Sequence, residues 1–148
     1  MTRFNAALAL SAALAAQAAE IHVVAPSAAR DAMAAAVPRF ENQTRDKVVL
    51  EYVDGDELLE RASKDERVDA AILPVAQMGV LARAYRIMPD TKRTLGRTAA
   101  TAESAQGNVL LVAALSGGDH EESARSFCAY LGLPETVLFL RKGGLSAP

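Results

Sequence analysis

The sequence is poor in the residue types on which many cofactor and metal sites depend. Its 148 residues include no tryptophan, one cysteine and two histidines, and the formal net charge is only −2. One cysteine excludes an intramolecular disulfide and a cysteine-cluster metal centre, and two histidines leave little for a histidine-rich metal site. A net charge of this sign and size leaves no basic surface for nucleic acid. We therefore expect a globular domain with no cofactor, no metal site and no nucleic-acid partner.

The N-terminus contains an apolar stretch that is too short and too alanine-rich to span a bilayer. Arg3 precedes an uncharged stretch over residues 6–16, and Ala16-Gln17-Ala18 has small residues in the pattern of a cleavage site. This order is typical of a signal peptide, and the alternative is an alanine-rich N-terminal helix. We expect residues 1–18 to direct export to the periplasm. Residues 19–148 then form a single domain that is not an integral membrane protein.

The first two thirds of this domain alternate between strand and helix patterns. Apolar runs rich in β-branched residues predict strands over residues 21–25, 47–53 and 68–73. Apolar residues at helical spacing predict helices over residues 28–42, from Leu58 into the charged residues 64–67, and over 75–86, with Pro38 kinking or dividing the first. Strands that alternate with helices are typical of a parallel sheet.

The last third begins with residues 86–108, which have few bulky apolar side chains and are predicted to be connecting structure. Residues 109–115 predict a fourth strand that is covered on both faces. A helix capped by Asp119 follows and contains Cys128 on its apolar face, which indicates a buried structural thiol. Pro134 begins the last helix. The prediction is an α/β fold, a Rossmann-like three-layer sandwich with a mainly parallel sheet and helices on both faces.

Ligands of open α/β sheets bind beyond the carboxyl ends of the strands. After the first strand, Ser27 and Ala28 offer a hydroxyl and backbone N–H groups at the start of a helix, an arrangement that suits an anion. The alternative, which we favour in the absence of other evidence, is that Ser27 caps its own helix.

Asp54, Gly55 and Asp56 follow the second strand. Asp54 and Glu57 have the spacing of a capping box, and we favour capping as the role of these acids. The alternatives are that the carboxylates bind a cation or an amine, or that they repel the anion that the first loop would attract.

Patterns that indicate an enzyme are scarce in this sequence. It has no nucleophile elbow and no glycine-rich phosphate loop after the first strand, and His22 and His120 are interpreted as solvated or structural. The chain is therefore not expected to be an enzyme, and no catalytic residue is predicted. An enzyme that holds a divalent metal through Asp54, Asp56 and Asp69 is the remaining alternative of this kind.

The order of several segments resembles the periplasmic solute-binding proteins of ABC importers, and among them the molybdate-binding members. These segments are the strand ending at Ala25-Pro26-Ser27, the helix running into Phe40-Glu41, the strand 68–73, the turn Gly117-Gly118-Asp119-His120, the helix 123–131 and the C-terminal residues 140–148. Together they cover most of residues 19–148.

The resemblance implies one lobe of a type 2 periplasmic binding protein, a fold in which two lobes hold an oxyanion between them. The second lobe would lie near residues 97–108, where the chain has about ten residues. The implied ligand is a small oxyanion, molybdate or tungstate, and the implied partner is an ABC importer permease. Ser27 matches the first hydroxyl position, with Ala28 beside it, and Gly55 or Asp54 stands where the family has a serine.

Two hypotheses on function follow. The first is an exported solute-binding protein of the molybdate or oxyanion import type, with a reduced or lost ligand site. The alternative is a periplasmic interaction module without a transport role, which self-associates or binds a protein partner through the surface that the missing lobe leaves exposed.

Overall fold

A five-stranded sheet with the order β2-β1-β3-β5-β4 organises the computed structural model, which describes residues 18–148. The strands are β1 (Glu20–Ala25), β2 (Lys47–Tyr52), β3 (Ala70–Pro74), β4 (Arg93–Arg97) and β5 (Val109–Ala114). β1 is parallel to β2 and β3, whereas β5 is antiparallel to both of its neighbours. The sheet is therefore mixed, with parallel pairing confined to β1, β2 and β3.

Five helices cover the two faces of this sheet. They are α1 (Arg30–Thr44), α2 (Gly55–Lys64), α3 (Val75–Arg83), α4 (Glu121–Leu131) and α5 (Pro134–Lys142), and short 3-10 turns lie at Ser27–Ala29 and Pro89–Thr91. The predicted α/β class with helices on both faces is confirmed. The predicted signal peptide lies almost wholly outside the described residues. None of the described helices has the length and apolarity needed to cross a membrane.

The sheet separates two apolar cores. α1, α4 and α5 pack on one face, where the rings of Phe40 and Phe127 meet edge-on with centroids 5.3 Å apart. α2 and α3 pack on the other face through Leu58, Met78 and Leu81. Burial of these large side chains supplies the main driving force for the fold.

Three details differ from the sequence predictions. α1 runs unbroken through Pro38, so the helix is not divided there, because buried residues on both sides of the proline hold it against the sheet. Residues 93–97 form strand β4, although residues 86–108 were predicted to be connecting structure. Asp119 does not cap α4, because His120 holds the N-cap position and no side chain caps that helix end.

A short hydrogen-bonded loop joins β4 to β5. The N–H of Thr98 donates to Asn108 O at 2.9 Å, and the N–H of Asn108 donates to Thr98 Oγ1 at 2.9 Å. Gly107 has φ +71°, and a Cβ there would lie 2.0 Å from Thr98 O. The loop therefore requires glycine at this position, and it links the two strands directly where the resemblance places a second lobe.

Candidate functional site at the carboxyl edge of the parallel strands

The carboxyl ends of β1, β2 and β3 bring three loops to one edge of the sheet. β1 and β2 are in register, with Ala25 opposite Tyr52, so the loops that follow them are neighbours. Ser27, Ala28 and Gly55, the three predicted ligand-binding residues, all lie at this edge and are all exposed. The sequence therefore predicted their location correctly, and their ligand-binding role stays a prediction.

Ser27 and Asp54 are bound to each other across this edge. The Ser27 hydroxyl donates to Asp54 Oδ2 at 2.5 Å, and the Ser27 backbone N–H donates to Asp54 Oδ1 at 3.0 Å. One residue thus gives both of its donors to one carboxylate.

This contact overturns both capping predictions. Pro26, and not Ser27, is the N-cap of the 3-10 turn that precedes α1. Asp54 does hold the N-cap position of α2, but its side chain makes no capping hydrogen bond. The physical reason is that the carboxylate is already satisfied by the two donors of Ser27, which lie outside its own helix.

The same hydrogen bonds keep Asp54 ionised. The Ser27 hydroxyl, followed by the Ser27 N–H, lowers the pKa of Asp54 below its usual value of 3.8. Partial burial opposes this shift and the nearby Arg30 guanidinium adds to it. At neutral pH Asp54 therefore carries a negative charge beside Ser27, the residue that the sequence offered as a candidate for holding an anion.

Gly55 and Gln77 complete the edge. Gly55 begins α2 with φ +65°, a conformation that favours glycine, and its carbonyl accepts a hydrogen bond from Gln77 Nε2 at 3.0 Å. Gln77 Oε1 is buried without a hydrogen-bond partner. The sequence analysis did not single out Gln77 as a residue of this edge. Its position in the first turn of α3, directly after β3, is the signal that could have done so.

The metal alternative does not fit this geometry. Asp56 lies in the first turn of α2 at the carboxyl edge, whereas Asp69 precedes β3 at the opposite edge. The three acids Asp54, Asp56 and Asp69 are therefore not brought together. Over residues 18–148, no group of three His, Cys, Asp or Glu residues is arranged to hold a metal ion.

In a mixed α/β sheet, the loops at the carboxyl edge of the parallel strands are the usual place for a small ligand. A family model described as bacterial extracellular solute-binding protein matches residues 21–112, and the chain belongs to this family. The family is one of binding proteins and not a class of enzymes. No curated protein matches the chain.

Solved structures share the fold over most of its length. One, assigned as the substrate-binding domain of a molybdenum ABC transporter from Clostridium difficile, has a TM-score of 0.75 at 10% identity and covers 88% of this chain and 100% of its own. The periplasmic molybdate-binding protein of Azotobacter vinelandii gives 0.72 at 8% identity, covering 86% and 99%. The tungstate ABC transporter of Geobacter sulfurreducens gives 0.65 at 9% identity, covering 83% and 98%. The resemblance inferred from the sequence is thus confirmed for family and fold.

Proposed function

We propose that this chain is a periplasmic solute-binding protein of the oxyanion-import type in which Asp54 reduces the ligand site. The observation that carries the proposal is the donation of both Ser27 groups to the Asp54 carboxylate. Two structures with the same fold are named for molybdenum or tungstate ABC transporters and a third for molybdate binding, which supports an oxyanion as the solute class. The family model supports a location outside the cytoplasm.

Asp54 opposes a bound oxyanion in two ways. It takes the donors that the ligand needs, and it adds a negative charge beside the place the ligand would occupy. At about 4 Å and an effective dielectric constant near 20, repulsion between two unit charges costs about 4 kcal/mol. A neutral hydrogen bond contributes about 1 kcal/mol net, so Ser27 cannot offset this repulsion.

Import requires docking to a membrane permease, and we propose an ABC permease as the partner on the strength of the family and the shared fold. The proposed export signal in residues 1–18 is consistent with that partner. No enzymatic step is part of this function. The interaction-module alternative stays a prediction, and it concerns the oligomeric state of the molecule.

The test restores the hydroxyl that the resemblance places in the second loop. We expect Asp54→Ser to gain thermal stabilisation by molybdate or tungstate, measured against sulfate, phosphate and chloride at matched ionic strength. A ligand at a hundred times its dissociation constant adds about 2.7 kcal/mol, a shift of several degrees for a domain of this size. The unaltered protein should show no selective shift.

Two further variants control the experiment. Asp56→Ser removes an exposed acid from the same turn of α2 without releasing Ser27, and we expect no gain. Asp54→Ser combined with Ser27→Ala should lose the gain, because the first-loop hydroxyl is then absent. A selective molybdate shift in the unaltered protein would show that Asp54 does not block the site. The lack of any shift in folded Asp54→Ser would contradict an oxyanion site at this edge.

A further inference from the structure

Arg30 brings a positive charge to the carboxyl edge, and the sequence analysis did not single it out. It is the first residue of α1, it is exposed, and its backbone N–H donates to Ser27 O. Arg30 therefore lies one 3-10 turn after Ser27, at the same edge as the contact between Ser27 and Asp54.

The aromatic ring of Tyr52 holds the Arg30 guanidinium in place. Arg30 Cζ lies 4.2 Å from the centroid of this ring, which is a cation–π contact. Tyr52 ends β2 and lies opposite Ala25 at the end of β1. Partial burial raises the pKa of Tyr52, so the ring is uncharged at neutral pH. A guanidinium stacked in this way loses less freedom than an unstacked one when it binds an anion.

The acids near Arg30 leave its guanidinium unpaired. Over residues 18–148 it forms no ion pair with a carboxylate and donates no hydrogen bond, whereas Arg61 and Arg125 each pair with a carboxylate. Asp54 is occupied by the two donors of Ser27. The charge of Arg30 nevertheless reaches Asp54, because it adds to the effect of the Ser27 hydrogen bonds in lowering the pKa of that carboxyl.

An unpaired guanidinium at this edge supplies what an oxyanion requires. Its N–H groups form a planar fork that donates two parallel hydrogen bonds to neighbouring oxygens of an anion. Its positive charge also counteracts the negative charge of Asp54. An uncharged solute gains far less from such a group, because hydrogen bonds between charged groups are about twice as strong as neutral ones.

We propose that Arg30 selects an anionic solute at the carboxyl edge, with its guanidinium stacked on Tyr52 and donating to two oxygens of the oxyanion. This inference rests on the function proposed above and names the group that receives the charge of the solute. Ser27 supplies neutral donors to the same anion when the residue at position 54 releases them.

The experiment uses the full chain with Asp54→Ser, the variant in which the proposed function expects binding. Sodium molybdate is the probe, and sodium chloride keeps the ionic strength constant. Arginine Nε–H signals are followed by ¹H–¹⁵N NMR, and the same titrations give the dissociation constants. We expect a saturable shift of the Arg30 signal. Adding Arg30→Gln should weaken molybdate binding about tenfold or more, because one charge-assisted contact is lost.

Arg39 supplies the matched control. It is exposed and lies on α1 more than two turns beyond Arg30, and its Cζ is 5.5 Å from the centroid of the Phe139 ring. It is therefore also an arginine on an aromatic ring, but it lies away from the carboxyl edge. Arg39→Gln in the same variant should leave the affinity for molybdate unchanged, and the Arg39 signal should move only as it does with chloride.

The outcomes separate this inference from the proposed function. Unaltered molybdate affinity on adding Arg30→Gln would overturn the role of Arg30 and leave the proposed function standing. An Arg30 shift with the same affinity in the unaltered protein would support Arg30 as an anion-binding residue and contradict the blocking role of Asp54. The absence of a saturable Arg30 shift in either protein would overturn the inference. Tyr52→Leu should also weaken binding, whereas Tyr52→Phe keeps the ring and should not.

Discussion

The contact with Asp54 determines whether the hydroxyl and the backbone N–H of Ser27 are available to a ligand. An unpaired serine at the start of a helical segment offers two donors to an anion. Beside Asp54 both donors are taken, and the pKa of that carboxyl falls because of them. A substitution at residue 54 therefore tests the chemistry of Ser27 without altering Ser27 itself.

Asp65 makes the stability of the protein depend on pH. Hydrogen bonds from the Arg67 side chain, followed by its backbone N–H, lower the pKa of Asp65 from 3.8 to about 2. The ionised carboxylate stabilises the folded state above the unfolded pKa, and this contribution is lost as the pH falls from about 4 to about 2. We expect Asp65→Asn to lower the free energy of unfolding by up to about 1 kcal/mol at pH 6.

Urea unfolding at pH 6, 4 and 3 measures this difference, which should shrink towards low pH. Glu66→Gln is the matched control, because it removes an exposed neighbouring acid. A difference between the protein and Asp65→Asn that stays constant from pH 6 to pH 3 would contradict the role of the ionised carboxylate.

Residue-scale features that depend on local pattern were predictable from the sequence. Cys128 is fully buried on the apolar face of α4, as predicted, and burial raises the pKa of its thiol to about 12. The contact between Ser27 and Asp54 was not predictable, because it joins residues 27 positions apart through the register of β1 and β2. Local spacing favoured capping for both residues, and tertiary pairing overrode it.

At the scale of elements, apolar runs identified β1, β2, β3 and β5, and apolar residues at helical spacing identified α1, α2 and α3. The starts of α4 and α5 were predicted from Asp119 and Pro134. β4 was not predicted, because Leu95 is the only bulky apolar residue in Arg93–Arg97. Its Gly96 has φ +147°, and a Cβ there would lie 2.6 Å from Ser146 O. Its strand conformation comes from pairing with β5 on one side and with Ser146 on the other. Such pairing leaves no signal in a single segment of sequence.

The packing of α5 against α1 depends on the absence of a side chain at Gly143. A Cβ at this position would lie 2.3 Å from Ala32 Cα and 2.5 Å from Ala32 N, and these backbone atoms cannot move aside locally. We expect Gly143→Ala to lower the free energy of unfolding by about 2–3 kcal/mol through overpacking. The midpoint of urea unfolding measures the change.

Gly79 is the matched control for this prediction. It lies inside α3, where a Cβ would meet nothing closer than the end of the Arg83 side chain at 3.4 Å. Gly79→Ala should therefore raise the free energy of unfolding by about 0.5–1 kcal/mol, since alanine restricts the unfolded chain and favours helix. Destabilisation of similar size in both variants would show that close approach is not the cause at Gly143.

At the scale of the whole molecule, the exposed apolar side chains bear on the interaction-module alternative. The large ones lie on β2, on α3, in the turn after α3 and around α5: Val49, Val75, Val80, Tyr85, Leu133 and Leu138. A stable interface between copies needs roughly 800 Å² of complementary surface from each partner. Apolar side chains spread over separate elements do not supply the buried apolar centre of such an interface.

We therefore expect a monomer at concentrations from 1 to about 200 µM, a range in which a dimer with micromolar affinity would be populated. Light scattering coupled to size-exclusion chromatography measures this directly, because the full chain has a mass of 15.6 kDa and a dimer twice that. Tyr85→Ser removes the most exposed large apolar side chain, at 89% exposure, and should leave the mass unchanged. A dimer that forms as the concentration rises, and that Tyr85→Ser or Val75→Ser weakens, would favour self-association over solute binding by a single lobe.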